Sequence, residues 1–446
     1  MVVPIFKKGD RQNVGNYRPV SLTSSISRIF ESVLSEKLTT YVLNHNIISS
    51  FQFGFLPKKS SCSNLLSSLY SWLKSYSLSS CTSVLYTDFK KAFDSVNHRF
   101  LIHVLHSSGL NSQVVNWLKN FLTDRQQIVC INNSMSTPLT VLSGVPQGSV
   151  IGPFLFLLFI NGITDPSLLS PSVSIRLFAD DSKLFSTDPH DLQIAINKTN
   201  SWLSQRQLLL APHKCVVLKL KRPSSTDTSQ FFIDNHPVEE VSNMKDLGVI
   251  ISSDLKWSTH IDSICHSAST TSFQLIKIIK SANIWTWLRI FKTYIRPKLE
   301  YNTPVWPPYM LKDIKRVESV QKRFTKIAFQ KCNIPFSSYK DRLYKVNCLS
   351  LELRRVYFDV VLMFKIIHNL SDLKFDDFFL FINSSYSLRS HSFQIKTFVK
   401  FQTPQGFHSF FGRIPSLWNK LPAHVVNTPS LDTFKPSVKR HLLQSI

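Results

Sequence analysis

Two adjacent aspartates, Asp180 and Asp181, stand between two apolar, strand-like runs. Alternating side chains and a tight reversal predict a β-hairpin with both acids at its tip. Clustered carboxylates are costly unless a cation or a hydrogen-bond donor compensates their charge. The pair therefore indicates a divalent cation site, while a solvated turn, in which aspartates are common, is the alternative that this stretch leaves open.

A third carboxylate, Asp88, lies near the end of a predicted strand, on the same face as Val84 and Tyr86. If this strand pairs with the hairpin in one sheet, the three carboxylates meet at one edge. Hard oxygen ligands suit Mg²⁺, and two such ions about 3.5–4 Å apart can support phosphoryl transfer. Because neighbours on a strand face opposite ways, we expect one of the adjacent aspartates to share both ions with Asp88 and the other to be peripheral.

Three basic residues near the start of the chain, Lys7, Lys8 and Arg18, are candidates for binding a phosphate chain. They lie on two strand-like segments that a polar loop joins, so a hairpin would bring them together. Arginine offers bidentate contacts to phosphate, and lysine offers a point charge. An ordinary solvated basic hairpin is the alternative interpretation.

The segment 143–153 (SGVPQGSVIGP) holds three of the chain's 11 glycines within nine residues. Glycine allows a backbone to approach a ligand closely, and Gln147 offers both a donor and an acceptor. The segment is therefore a candidate ligand-binding loop. A plain turn that leads into the apolar helix predicted over 153–160 is the alternative.

The rest of the chain alternates helix-period and strand-period segments, which excludes an all-α and an all-β fold. Thr23 or Ser24 can cap a first helix. Its apolar positions repeat at helical spacing: Ile26, Ile29, Phe30, Val33 and Leu34. Much later in the chain, residues 222–229 are rich in Ser and Thr and predict a loop. The segments 247–251 and 254–257 predict a hairpin. Other helices are predicted over 63–76, 99–109, 111–122, 190–208 and 311–329, and other strands over 126–132, 138–142 and 216–220.

The net charge of +24 is unevenly distributed along the 446 residues. Residues 256–446 contain 29 Lys and Arg against 11 Asp and Glu, whereas residues 1–255 contain 23 against 17. A basic second half beside a more balanced first half predicts that catalysis belongs to the first and polyanion binding to the second. Nucleic acid is the expected polyanion; an acidic membrane surface is the alternative.

Seven widely spaced cysteines, with no Cys-x-x-Cys pair, predict reduced thiols and no zinc knuckle. The first residues form too short an apolar run for a signal peptide, and the most apolar segment, 154–160, is too short to span a bilayer. We therefore expect an intracellular protein, in the nucleus, the cytoplasm or both, with no membrane partner.

Three segments in order resemble the reverse transcriptase motifs of LINE-type (non-LTR) retrotransposons: YTDFKKAFD at 86–94, SGVPQGS at 143–149 and FADD at 178–181. NYRPVSL at 16–22, HKC at 213–215 and LGV at 247–249 are similar to the flanking blocks of that family. The segments 297–306 and 410–422 resemble regions that follow the polymerase in Jockey-like elements. The resemblance spans nearly the whole chain, and the combination of blocks is more specific than any one of them.

The resemblance implies an α+β fold, the right-hand polymerase with an antiparallel palm sheet. It divides the chain into partial fingers (1–80), palm (81–258), a basic helical thumb (259–345) and a helical C-terminal extension (346–446). It implies an RNA-directed DNA polymerase that extends a DNA primer on an RNA template with dNTPs. Its cofactor would be two Mg²⁺ ions, with Mn²⁺ as a substitute, and no small organic cofactor is expected.

By matching position, the resemblance makes Asp88, Asp180 and Asp181 the catalytic, metal-binding carboxylates, with Asp180 the principal ligand beside Asp88 and Asp181 secondary. Asp94, in the same block as Asp88, is the less favoured catalyst. The implied nucleotide-binding residues are Lys7, Lys8, Arg18, Phe93, Gln147, Gly148 and Lys214. Among these, Phe93 would disfavour ribonucleotides, and Lys214 would act as an acid near the pyrophosphate. The implied primer support is Leu247, Gly248 and Val249.

The chain also departs from the family pattern. It begins within the fingers, so we expect an N-terminally truncated protein that lacks the endonuclease and upstream finger elements, and no Cys/His knuckle is seen near its end. His213 stands where family blocks often have Asn. A decayed or co-opted fragment that only binds nucleic acid, and a nuclease that uses the same acids, are the alternatives to a polymerase.

Overall fold

The strand that precedes Asp88 lies in the middle of a five-stranded sheet in a computed structural model of the chain. The structure describes residues 1–220, 228–382, 391 and 393–444. These residues divide into two compact units. The first unit contains Met1–Ser60, Thr82–Lys219 and 228–241, and the second contains Ser61–Cys81, Leu220, 242–382, 391 and 393–444.

In the described residues, the helices are α1 (Ser25–Asn44), α2 (Ser61–Ser77), α3 (His98–Ser107), α4 (Ser112–Leu122), α5 (Gly152–Ile160), α6 (Pro189–Gln205), α7 (Ser258–Ile278), α8 (Ile284–Ile290), α9 (Arg296–Glu300), α10 (Leu311–Lys331), α11 (Tyr339–Lys345), α12 (Leu351–Ile367), α13 (Pro404–His408), α14 (Phe410–Asn419), α15 (Ala423–Val426) and α16 (Leu431–Leu443). A π-helical turn, Phe291–Ile295, joins α8 to α9.

The strands are β1 (Val2–Phe6), β2 (Tyr17–Ser21), β3 (Thr82–Thr87), β4 (Gln126–Gln127), β5 (Cys130–Ile131), β6 (Ser134–Met135), β7 (Leu139–Thr140), β8 (Ser174–Phe178), β9 (Asp181–Ser186), β10 (Val216–Leu220), β11 (Phe232–Ile233), β12 (His236–Pro237), β13 (Glu239–Val241), β14 (Asn243–Asp246), β15 (Val249–Ser252), β16 (Phe379–Phe381) and β17 (Ile395–Thr397).

The main sheet has the strand order β13-β10-β3-β9-β8. The pairs β3–β9 and β8–β9 are antiparallel, as predicted, but β10 and β13 run parallel, so the prediction of an antiparallel palm sheet is wrong at that edge. The cause is the connection, because the chain leaves β10 and returns through the hairpin β11–β12 before it pairs again. The strand β3 is central and buried, as its β-branched and aromatic residues favour.

The core of the first unit packs on one face of this sheet and contains α5, in which every residue except Pro153 is buried. Pro153 stands in the first turn, where a missing N–H costs nothing. A helix that is apolar on all sides belongs in a protein interior. The predicted helix 153–160 is therefore confirmed, and it fixes the end of the candidate loop 143–153 against the core.

The second unit is mainly helical and includes α2, which precedes the main sheet in sequence. The predicted buried side of α2, Leu65 to Leu73, is buried as expected. The Tyr70 ring lies 4.8 Å from the rings of both Phe378 and Phe411. This grouping differs from the sequence-based boundary at residue 80, which assigned α2 to the fingers.

The helix α1 begins after Ser24, whose side chain accepts a hydrogen bond from Ser27 N–H. Its buried residues are Glu31, Leu38 and Val42. Most of the apolar positions that suggested a core face are exposed instead: Ile26 82%, Ile29 68%, Phe30 53% and Val33 59%.

Two other segments differ from the predictions. A hairpin was expected from 247–251 and 254–257, but the observed hairpin pairs β14 with β15 around the turn Leu247-Gly248. The turn falls there because both of its residues have a positive φ (43° and 88°), as tight hairpin turns require. Residues 221–227, most of the Ser/Thr-rich loop, lie outside the described residues. No helix in the described ranges is long and apolar enough to cross a membrane.

Candidate active site

The predicted hairpin with acids at its tip is confirmed. The strands β8 and β9 pair through Phe178 and Asp181, and the turn between them is Ala179-Asp180. Ala179 has a φ of 57°, in the left-handed region that tight reversals use. The strands β3 and β9 pair through Thr87 and Ser182. Asp88, which directly follows β3, therefore lies at the same end of the strands as this turn.

A buried glutamine supports the turn. Gln52 is 1% exposed, and its Oε1 accepts hydrogen bonds from Ala179 N–H (3.1 Å) and Gly54 N–H (2.9 Å). The backbone around Gln52 pairs with Leu177, through Phe53 N–H to Leu177 O and Leu177 N–H to Phe51 O, both 2.9 Å. Sequence reasoning did not identify Gln52; a polar residue between two phenylalanines was the available signal.

The electrostatics of Asp180 show which charges share this edge. Desolvation raises the pKa of the Asp180 carboxyl above its usual value, and the negative charge of Asp88 raises it further. The positive charges of Arg18 and Lys7 act in the opposite direction. The structure thus brings Asp88, Asp180, Lys7 and Arg18 into one local field, all within the first unit.

The hairpin β1–β2 positions the two cations. Ile5 pairs with Arg18 and Phe6 with Tyr17, and Lys7 N–H donates to Asn16 O at 2.8 Å. Both side chains are exposed, as ligand-binding cations must be. Lys8 is also exposed, one residue further along the loop.

Hydrogen bonds with the segment that precedes β10 fix the backbone that follows β3. Ala211 N–H donates to Asp88 O, and Lys90 N–H donates to Leu209 O, both at 2.8 Å. Lys214 Nζ lies 3.2 Å from Asp88 Oδ2, and both side chains are about half exposed. Lys214 therefore forms a direct ion pair with Asp88, while its role as an acid near the pyrophosphate stays a prediction.

Asp181 differs from Asp180. It is the first residue of β9 and is exposed, whereas Asp180 lies in the turn before that strand. Within the described ranges, no three His, Cys, Asp or Glu side chains form a group that could hold a metal ion. The geometry thus distinguishes the adjacent aspartates, while the ligand roles of Asp88, Asp180 and Asp181 stay predictions.

The loop 143–153 is fixed at its start by the segment after Asp88. Val145 N–H donates to Phe93 O and Gly144 N–H to Val96 O, both at 2.8 Å. Gly144 has a φ of 88°, and a Cβ there would lie 2.7 Å from Asp94 O. Only glycine suits this position, because the backbones approach closely and φ is positive.

Gln147 and Gly148 occupy the middle of the loop. Ser21 N–H, at the end of β2, donates to Gln147 O at 2.6 Å, and Gln147 Nε2 donates to Asp94 Oδ1 at 2.8 Å. Gly148 has a φ of 110°, and a Cβ there would lie 2.6 Å from Ser21 O. The loop therefore connects the basic hairpin to the segment that follows Asp88.

Phe93 is half-buried, and its ring stacks on Phe156 of α5 with centroids 4.5 Å apart. A ring held against a buried helix cannot move aside easily, since packed interiors resist displacement. The Phe93 ring is therefore held in place by α5, and its role beside a sugar stays a prediction.

The end of the loop is held by a buried carboxylate that sequence reasoning missed. Glu31 of α1 is fully buried, and it accepts hydrogen bonds from Val150 N–H (2.8 Å), Ile151 N–H (3.2 Å) and Ser27 Oγ (2.9 Å). These bonds satisfy N–H groups at the start of α5. An acid within an apolar helical stripe was the signal in the sequence.

The proposed primer-support residues, Leu247, Gly248 and Val249, lie in the second unit. Tyr301 Oη donates to Leu247 O at 3.1 Å, and a Cβ at Gly248 would lie 2.9 Å from the Tyr301 ring. Tyr301, which directly follows α9, therefore holds the Leu247-Gly248 turn in place. Its role stays a prediction.

The second unit also presents a basic helix. The exposed positions of α10 recur at helical spacing and include Lys312, Lys315, Arg316, Lys322, Arg323 and Lys326. Arg316 pairs with Asp262 of α7 at 2.5 Å. The opposite side of α10 is buried, with Val317, Phe324 and Phe329 among its residues. The cationic face is therefore anchored by the core.

Comparison with known proteins agrees with these features. A family profile described as reverse transcriptase (RNA-dependent DNA polymerase) matches residues 5–251. The probable RNA-directed DNA polymerase from transposon X-element of Drosophila melanogaster is 26% identical over 327 residues, which are 70% of this chain and 35% of that protein. The RNA-directed DNA polymerase from mobile element jockey of Drosophila funebris is 25% identical over 68% of this chain and 35% of its own length.

Among solved structures, apo telomerase from Candida tropicalis has a TM-score of 0.45 at 10% identity, over 76% of this chain and 60% of that chain. The chain spans about a third of the length of the curated relatives it matches. The family profile covers more than half of the chain, including the segments that carry Arg18, Asp88, Gln147 and Asp180. The chain belongs to the reverse transcriptase family.

Proposed function

We propose that this chain is an RNA-directed DNA polymerase that adds dNTPs to a primer 3′-hydroxyl on an RNA template. The observation that carries the proposal is that Asp88, directly after β3, and Asp180, in the β8–β9 turn, lie at the same end of paired strands. The positive charges of Lys7 and Arg18 act on Asp180 there. Two carboxylates beside two exposed cations suit a reaction in which a triphosphate meets a hydroxyl nucleophile. The names of the relatives, RNA-directed DNA polymerases of mobile elements, support the choice of template and product.

The donor set supports divalent cation binding at Asp88 and Asp180. Burial and, after it, the negative charge of Asp88 raise the pKa of Asp180. A cation would relieve the repulsion between the two carboxylates, and Lys214 Nζ already provides one positive charge at Asp88. Mg²⁺ would be held by Asp88 and Asp180, with Asp181 as a further ligand and Mn²⁺ as a substitute. When bound, the two ions supply stabilisation of the attacking and leaving oxygens.

The chain's own residues would bind and orient the substrates. Lys7, Lys8 and Arg18 would hold the triphosphate, and Phe93 would exclude a ribose 2′-hydroxyl. Gln147 and Gly148 would line the nucleotide pocket, and Lys214 would donate a proton to the departing pyrophosphate. The turn at Leu247, Gly248 and Val249 would support the primer end.

The basic face of α10 would hold the duplex through its phosphates. Each phosphate contact releases condensed counterions, so binding should weaken steeply with salt. Such contacts position a duplex without reading its sequence. The proposed partners are therefore an RNA template and a DNA primer.

Primer extension on an annealed RNA template with Mg²⁺ and dNTPs tests the proposal. We expect Asp88→Asn and Asp180→Asn each to reduce incorporation at least about a hundredfold, since carboxylate–metal contacts supply several kcal/mol to the transition state. Asp432→Asn, an exposed acid on α16, is the matched control and should retain activity. Salt-sensitive binding without incorporation would instead indicate a nucleic-acid-binding fragment, and cleavage without dNTPs would indicate a nuclease.

A further inference from the structure

We propose that Asp94 is a positioning residue, which acts by fixing the side-chain amide of Gln147 in one orientation. The inference rests on the proposed polymerase function, in which Gln147 lines the nucleotide pocket. Asp94 is not proposed to touch the substrate or to bind a metal. Its effect on the reaction would pass entirely through Gln147.

The first support is the hydrogen bond itself. Gln147 Nε2 donates to Asp94 Oδ1 at 2.8 Å, and both residues are half-buried. An ionised carboxylate can only accept hydrogen bonds, so it must face the NH₂ end of the amide. The amide oxygen of Gln147 is then directed away from Asp94. In the described part of the chain, this oxygen accepts no hydrogen bond, and it is available to a donor group of a bound nucleotide.

The second support is that hydrogen bonds of the main chain hold both Asp94 and Gln147 in place independently of the bond between their side chains. Ser143 Oγ donates to Asp94 O at 2.9 Å, and Val145 N–H donates to Phe93 O at 2.8 Å. On the other side, Gln147 O accepts from Ser21 N–H at 2.6 Å. Because these bonds already order the backbone, the side-chain bond costs little additional conformational entropy.

The third support is the close packing between the two segments. Gly144 lies against Asp94, where a Cβ would be 2.8 Å from Asp94 Cα. Gly144 O is in turn held by His98 Nε2 at 2.9 Å and by Arg125 Nη2 at 3.3 Å. The amide orientation is therefore set within a rigid frame that also holds Phe93. The geometry points to a nucleotide pocket whose wall and polar contact are fixed by the same segment.

A double-mutant cycle measured by dNTP incorporation tests the inference. Asp94→Ala should raise the KM for dNTP on the order of tenfold, with a much smaller change in kcat, because a charge-assisted hydrogen bond holding the amide is lost. In a Gln147→Ala background, Asp94→Ala should change KM by less than about twofold, since the residue through which it acts is absent. Glu36→Ala, an exposed acid on α1, is the matched control in the same unit.

A polarity exchange gives a second, independent measurement. Gln147→Glu alone places two carboxylates together and should lower kcat/KM strongly. Combining it with Asp94→Asn restores a donor opposite an acceptor, and we expect on the order of tenfold recovery relative to Gln147→Glu. Thermal unfolding of each variant identifies any that fail to fold.

Equal effects of Asp94→Ala in both backgrounds, or no recovery in the polarity exchange, would overturn the inference while leaving the polymerase assignment intact. A wild-type chain that extends no primer would overturn the proposed function, and this inference with it. An effect on kcat alone, with KM unchanged, would assign Asp94 to chemistry instead of positioning and would also overturn the inference.

Discussion

The Lys214 ammonium lies 3.2 Å from the Asp88 carboxylate, at the end of the central strand of the main sheet. The pair is about half exposed, so its contribution to stability should be small, about 0–1 kcal/mol. We expect Lys214→Met to leave the unfolding midpoint nearly unchanged and to slow single-turnover incorporation about tenfold at saturating Mg²⁺, because a cation and proton donor is removed. An unchanged rate would contradict the proposed role of Lys214, and Lys198→Met provides the control.

Glu31 should contribute more to stability than glutamates usually do, because it is fully buried whereas most glutamates are exposed. Glu31→Ala leaves two N–H groups at the start of α5 without their acceptor, and we expect a loss of about 2–4 kcal/mol in the free energy of unfolding. Glu31→Gln keeps one acceptor and should lose less. Urea denaturation measures both, with Glu36→Gln as the exposed control; equal stabilities for all three variants would contradict this assignment.

Gly54 is predicted to control the hairpin turn through a close backbone approach. A Cβ at this position would lie 2.5 Å from Ala179 N, so the turn that carries Asp180 must shift. We expect Gly54→Ala to lower primer extension at least about tenfold with a loss of about 1–3 kcal/mol in stability. Gly15→Ala meets only the flexible Asn13 side chain and should retain activity, which separates a turn effect from a general effect of glycine replacement.

His260 should make the second unit sensitive to acid. Burial lowers its pKa from 6.5 to about 4, and the positive charge of Lys245 acts in the same direction. Its Nδ1 accepts from Ile250 N–H at 3.2 Å, and its ring lies 4.9 Å from that of Trp306. Since the unfolded state binds the proton more tightly, the contribution of neutral His260 is complete above pH 6.5 and is lost as the pH falls towards 4.

The loss amounts to about 3 kcal/mol over that interval. His260→Asn keeps an acceptor for Ile250 N–H and does not titrate, so its stability should fall less between pH 7 and pH 4.5. Denaturation curves of the two proteins at both pH values measure the difference. Parallel losses in the two proteins would show that other groups govern the acid sensitivity.

The local features of the site were predictable from the sequence because they depend on short-range rules. Alternation and turn residues predicted the hairpin that carries Asp180, and apolar content predicted the buried helix α5. The parallel pairing of β10 with β13 was not predictable in this way, because the register of non-adjacent strands depends on the path of the intervening chain. The contacts of Gln52, Glu31 and Asp94 depend on partners 53 to 127 residues away.

The exposed face of α1 shows a second reason for disagreement. Periodicity identifies an apolar stripe, but it does not show which side of the helix the rest of the fold covers. In α1 the core contacts Leu38 and Val42, together with the charged Glu31, while Ile26, Ile29 and Val33 remain exposed. The grouping of α2 with the second unit likewise differs from the sequence-based boundary, since an apolar helix side does not specify the surface that it packs against.

The position of Tyr70 has a consequence for the order in which the chain can mature. Tyr70 of α2 is synthesised early, but Phe411, one of the rings that it packs against, follows 341 residues later. At 5–20 residues per second, a ribosome would need about 20 to 70 s to supply that partner. During this interval the Tyr70 ring lacks this partner, so the aromatic contact can form only after nearly the whole chain has been synthesised.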